Sequence, residues 1–126
     1  MFKLQAEVGK FVDARKWAET YHVYGIMLNM IEEIGEGWNV VKHLEKDEVL
    51  LRKVITENHA ELEDFIGDLN FLVLKLAHVL DVDAEKAVEE RLKEFAGRFP
   101  EDFMKKNSFA GNRRAGGIDL KYPEKK

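Results

Sequence analysis

Cysteine is absent from the chain, so neither a disulfide nor thiolate chemistry is open to it, and a cytoplasmic address is the expectation. Proline is nearly absent. Pro100 and Pro123 both fall near the C-terminal end, so nothing of that kind breaks a helix before residue 99. No run approaches the roughly 18 apolar residues that a membrane span needs, and Met1-Phe2-Lys3-Leu4-Gln5 lacks the apolar stretch of a signal peptide, so no membrane partner is expected. Positive charge is scarce in the body of the chain: the net charge is −4, yet residues 99–126 hold seven Lys and Arg against four acids. An acidic body argues against nucleic acid as the main partner, while leaving open a phosphorylated small molecule held through a metal.

What is present reads as helix. A length of 126 residues suits one domain, and 45% apolar with 35% charged residues is a helix-rich, globular mix. Leu4, Val8, Phe11, Val12 and Trp17 recur at three and four, which predicts an amphipathic helix over 2–20. Tyr21-His22-Val23-Tyr24-Gly25 reads as a break, followed by a central helix over 26–44. Glu45-Lys46-Asp47-Glu48 caps a turn before a short helix over 49–56. A helix buried on a wide arc is expected over 59–80, with Gly67 marking a close helix approach or a ligand contact. Asp83 then offers an N-cap for a helix ending near Gly97. After Phe99-Pro100 the periodicity is lost, and the glycine-rich, basic stretch around Arg113 and Arg114 predicts a flexible tail. The expectation is an all-α, four-helix-bundle-like domain over 1–100 with a basic C-terminal tail over 101–126.

The central helix carries the chemistry. With Glu33 as zero on a wheel of ~100° per residue, Ile26, Met30, Gly37, Val40 and Leu44 lie within about 60° of it, so Glu33 sits in an apolar stripe. Glu36 borders the same stripe, and Glu32 points about 100° away. A buried, unpartnered carboxylate is costly, so Glu33 and Glu36 must protonate, pair with cations on a neighbouring helix, or hold a metal. Glu61, Asp64 and Asp68, at i, i+3 and i+7, line one face of the later helix. If the two helices pack antiparallel, four or five carboxylates converge with few counter-charges. Oxygen-only ligation suits Mg²⁺ or Mn²⁺ and not zinc. A di-iron bundle site is excluded, since neither Glu33 nor Glu61 has His at i+3.

Glu32-Glu33-x-x-Glu36 followed by Glu61-x-x-Asp64 resembles the EExxE and ExxD signature of the MazG-like, all-α nucleoside triphosphate pyrophosphohydrolases. The similarity extends over most of residues 11–100, through Phe11, Trp17, Tyr21-His22, Gly67-Asp68, Leu80-Asp81-Val82-Asp83 and the closing Phe95 to Pro100. There is a departure: setting the ExxD aspartate on Asp68 puts Phe65 where the family has glutamate, whereas setting it on Asp64 lengthens the following helix by about a turn.

The resemblance implies hydrolysis of a nucleoside triphosphate to the monophosphate and pyrophosphate. Glu33, Glu36, Asp64 and Asp68 would hold Mg²⁺, with Glu32 or Glu61 taking the proton from the attacking water. It also implies a house-cleaning role, a homodimer or homotetramer, and a nucleobase flanked by Trp17 and His22. Outside the resemblance, Trp17, His22, Trp38 and the Phe11-Tyr21-Tyr24 group read as core aromatics, and His43, His59 and His78 as structural or surface residues. Lys75 is expected either to pair with an acid or to reach a phosphate, and Arg113 and Arg114 to grip phosphates as a lid. From another class comes the alternative of a non-catalytic helical interaction module whose acids bind a structural divalent ion.

Overall fold

The computed structural model describes residues 2–107, which form six helices and no strand: α1 (Lys3–Asp13), α2 (His22–Val41), α3 (Glu48–Glu57), α4 (His59–Val79), α5 (Ala84–Arg98) and α6 (Glu101–Asn107). The all-α expectation holds. Two compact units divide after Lys86. Among the described residues, no helix is long and apolar enough to cross a membrane. Arg113 and Arg114 lie outside the described residues.

Two helix ends differ from the periodicity for the same reason. α1 stops at Asp13 because Lys16 takes a φ of 57° and the Trp17 N–H donates to the Val12 carbonyl at 2.9 Å. This six-to-one closure, with a left-handed residue in its middle, ends a helix, and glycine usually fills that position. α4 ends the same way, with Asp81 at φ 54° and the Val82 N–H on the Ala77 carbonyl at 2.8 Å. The break therefore lies over 14–20, and the segment from Tyr21 to Gly25 caps and opens α2. α2 in turn ends at Val41, ahead of the expected residue 44, where Lys42 leaves helical geometry and His43 takes a φ of 69°.

In the first unit, α4 is the element against which both α1 and α2 pack. α1 runs antiparallel to α4: Gly9 lies against His78, near the end of α4, while Phe11 meets Phe71 edge-on at 5.9 Å. α2 is also antiparallel to α4, since its early residues Ile26 and Asn29 face Leu72 and Lys75, whereas Gly37 faces Phe65. α3 packs on both α2 and α4, its start capped by Asp47, which accepts from the Leu50 N–H at 2.9 Å.

The core of the first unit is small. Val12 and Ile26 are fully buried, joined by Leu72, Ala77 and Ala84. The wide buried arc expected for α4 is absent, because Ile66, Val73 and Leu80 are exposed. Tyr21, Tyr24, Phe11 and Trp38 are exposed as well, so they are not core aromatics within one chain. In their place a polar residue is buried: the Gln5 amide donates to the Val82 carbonyl at 2.7 Å and accepts from the Ala84 N–H at 2.9 Å. That clamp ties the start of α1 to the turn after α4.

Close approach falls on glycines other than Gly67, which has nothing within 4 Å of where a Cβ would stand. A Cβ on Gly37 would lie 2.8–3.0 Å from the Phe65 ring, and one on Gly9 2.7 Å from the His78 ring. The His78 ring also bonds Asp13 through Nε2 at 2.9 Å, joining α1 to α4.

α5 starts as the sequence suggests, with Asp83 accepting from the Lys86 N–H at 3.2 Å, a bond that holds its carboxyl below the ordinary range. α6 was not legible as a helix. It follows Pro100, whose carbonyl accepts from the Met104 N–H at 2.9 Å, and seven residues are too few to show a period.

Candidate functional site

The Gly37 approach brings the acidic face of α2 against that of α4. Glu33 and Glu36 from α2 and Glu61, Asp64 and Asp68 from α4 line one cavity of about 110 Å³, floored by Gly37, Val40, Leu62 and Phe65. Glu32 lies outside this lining. The carboxylates do not point into a closed interior, as the wheel suggested: Glu33 is half-buried, and the other four are exposed along a cleft. The missing wall is the reason, since α2 and α4 alone form the cleft and no further element covers it among its lining residues.

No ion pair or hydrogen bond joins these five side chains to any described residue. The bland expectation, acids neutralised by Lys or Arg of a neighbouring helix, therefore fails. Partial desolvation, followed by repulsion from Glu36, Asp68 and Glu32, raises the Glu33 carboxyl above its ordinary range. The donor set is carboxylate oxygen throughout, which fits a hard divalent cation in kind. As the side chains stand, however, no group of three or more His, Asp or Glu among the described residues is gathered closely enough to hold a metal ion. Gathering them is a matter of side-chain rotation, open to exposed Glu and Asp side chains.

A second cavity, of about 410 Å³, opens further along the same two helices and is lined by Trp17, His22, Gly25, Ile26, Asn29, Phe71, Leu72 and Lys75. Trp17 stands just past the closure of α1, 44% exposed, with its ring edge-on to Phe11 at 6.0 Å. Lys75 forms no ion pair with a described residue. Its ammonium lies 5.3 Å from the centre of the Trp17 ring, so the expected pairing with an acid is replaced by a cation–π contact. His22 accepts the Glu19 N–H at Nδ1 (3.2 Å), which in the neutral ring leaves the Nε2 proton free to donate. Asn29 was not singled out from sequence, although it precedes Glu33 by four residues and so shares its face. Unlike Asn58 and Asn70, which bond back to the carbonyls of Val54 and Ile66, the Asn29 amide has no partner among the described residues.

The chain resembles one curated protein, an uncharacterized protein YpjD of Bacillus subtilis (strain 168). The two are 28% identical over 106 residues, covering 84% of this chain and 92% of the relative. That likeness spans both cavities but names no chemistry for either. No family model matches the chain, and no solved structure matches it.

Proposed function

We propose that the chain is a MazG-like, four-helix-bundle-type pyrophosphohydrolase that cleaves a nucleoside triphosphate to the monophosphate and pyrophosphate in a Mg²⁺-dependent manner. One observation carries this: five carboxylates without a counter-charge line a cleft whose continuation along α2 and α4 is an aromatic and cationic cavity. The two chemistries suit the two ends of one ligand. A base stacks on the Trp17 ring, the Nε2 of His22 and the amide of Asn29 meet its polar edge, and the Lys75 ammonium neutralises phosphate charge. Asp68 precedes Lys75 by seven residues on α4, about 10 Å along the helix, a span that a triphosphate can bridge.

Glu33, Glu36, Asp64 and Asp68 would hold Mg²⁺ or Mn²⁺ at the acidic end. Bound there, the cation supplies charge neutralisation for the phosphates and eases deprotonation of water. Glu61 lines the cleft and Glu32 does not, so Glu61 is the better placed proton acceptor for a water that attacks the α-phosphorus and releases pyrophosphate. House-cleaning of the nucleotide pool is the role this chemistry serves.

The test is a panel of standard and modified triphosphates with pyrophosphate detection in Mg²⁺ buffer. Pyrophosphate is expected from at least one of them, and its release should be lost in Glu33→Gln. No release from any nucleotide would instead favour a helical interaction module with a structural divalent ion.

A further inference from the structure

We propose that the face of α2 turned away from α4 is a dimerisation surface. Its occupant is the same face of a second copy of this chain, with the two α2 helices antiparallel about a two-fold axis beside Ile31. The inference is independent of any catalytic activity.

α2 has two unlike faces. The face toward α4 holds Ile26, Asn29, Glu33 and Gly37. The other holds Tyr24, Met27, Leu28, Ile31, Ile34 and Trp38, every one exposed, from 47% at Met27 to 82% at Tyr24. Positions 24, 27, 31, 34 and 38 step by alternating threes and fours, the spacing of a seam that meets another helix along its length. At ~100° per residue all six side chains fall within about 60° of Ile31, and no charged residue of α2 enters that arc. Monomeric proteins rarely leave so continuous an apolar stripe in water. The six side chains present roughly 700 Å² per copy, so a self-pairing covers roughly 1,400 Å², within the range of specific, stable interfaces.

Gly35 adds a second observation. It lies mid-helix on this face, where glycine weakens a helix relative to alanine, and nothing in the chain comes within 4 Å of where its Cβ would stand. Within one chain it has no packing role. In a symmetric antiparallel pair, residues equidistant from Ile31 come level with each other. Tyr24 then meets Trp38, Leu28 meets Ile34, and Met27 meets the hollow at Gly35, so a large residue faces no side chain at all. The surface is self-complementary, as a two-fold interface requires. Direction follows from the helix ends as well: α2 has no acid in its first turn and no base in its last, and antiparallel pairing sets its positive end beside the partner's negative one.

The chain lacks cysteine, so single cysteines report cleanly. In the full chain, Ile31→Cys is expected to cross-link to itself with a short bis-maleimide. Tyr24→Cys and Trp38→Cys should cross-link with each other far more than with themselves, and Ile66→Cys on α4 should remain single. Light scattering of the parent at about 10 µM should give twice the 14.6 kDa chain mass, and Ile31→Glu the single mass. A monomeric parent, or cross-linking at Ile66 equal to that at Ile31, would overturn the surface. Preferred 24-to-24 cross-links would overturn the antiparallel pairing. If Ile31→Glu does not fold, the cysteine series decides alone.

Discussion

Replacing Gly37 by alanine tests the geometry that sets the acidic cleft. In a helix interior the change alone stabilises by about 1 kcal/mol. Against that, the new Cβ would stand 2.8, 2.9 and 3.0 Å from three atoms of the Phe65 ring, closer than carbon atoms tolerate. The ring or the helix must move, and such overpacking costs about 1–3 kcal/mol. The net expectation is destabilisation by up to about 2 kcal/mol. Gly67→Ala is the control: it keeps the propensity gain and meets nothing, so it should stabilise by about 0.5–1 kcal/mol. Thermal melts of the two variants should thus differ by at least about 4 °C. Gly37→Ala should cost less in a Phe65→Leu background, where the ring is gone. Because the displaced element carries Asp64 and Asp68, the rise in Tm on adding Mg²⁺ should shrink in Gly37→Ala and persist in Gly67→Ala. A Gly37→Ala variant that melts as high as Gly67→Ala would refute the close approach of α2 and α4 at this point.

Three further outcomes are expected. Glu33 holds its proton in the folded chain at a pH where the unfolded chain has released it, so metal-free stability falls as pH rises from the ordinary carboxylate value through the raised one. Metal-free Glu33→Gln should therefore gain in Tm over the parent between about pH 4 and pH 7, with turnover lost; an unchanged gap would remove the repulsion argument. Trp17→Ala should raise KM or shift base preference with unchanged helicity and only a modest loss of Tm, since the ring is partly exposed; a loss of about 3–5 kcal/mol would make it a core anchor instead. Gln5→Ala strips the partners from the Val82 carbonyl and the Ala84 N–H, and should cost about 1–3 kcal/mol by urea titration; no loss would mean that water replaces the amide.

The helical class was legible because long periodic segments recur and proline is missing until residue 100. The acids of the cleft were legible too, since one face of a helix can be drawn from spacing alone. The helix ends were not. Lys16 and Asp81 hold the left-handed position that glycine normally marks, so nothing in the sequence announced where α1 and α4 turn. The buried Gln5 was hidden for a related reason: its value lies in two backbone groups some 77 and 79 residues away, which no local pattern encodes. The glycines misled by their numbers alone, for Gly67 sits beside an acid yet touches nothing, while Gly37 sets the helix spacing. Asn29 escaped notice because one amide on an apolar stripe carries no spacing signal.

The dependence of α1 and α2 on α4 sets an order of events during synthesis. The ribosome completes α2 at Val41 and must add the residues up to Val79 before α4 exists to receive either of them. At roughly 5–20 residues per second, that leaves a nascent chain of two amphipathic helices without their shared support for about 2–8 s. During that interval both faces of α2 are open to water. A chain emerging beside another copy on the same message meets a second α2 before it meets its own α4. Slowing translation over 42–79 should thus increase early association between nascent chains, and speeding it should favour closure of each chain on itself.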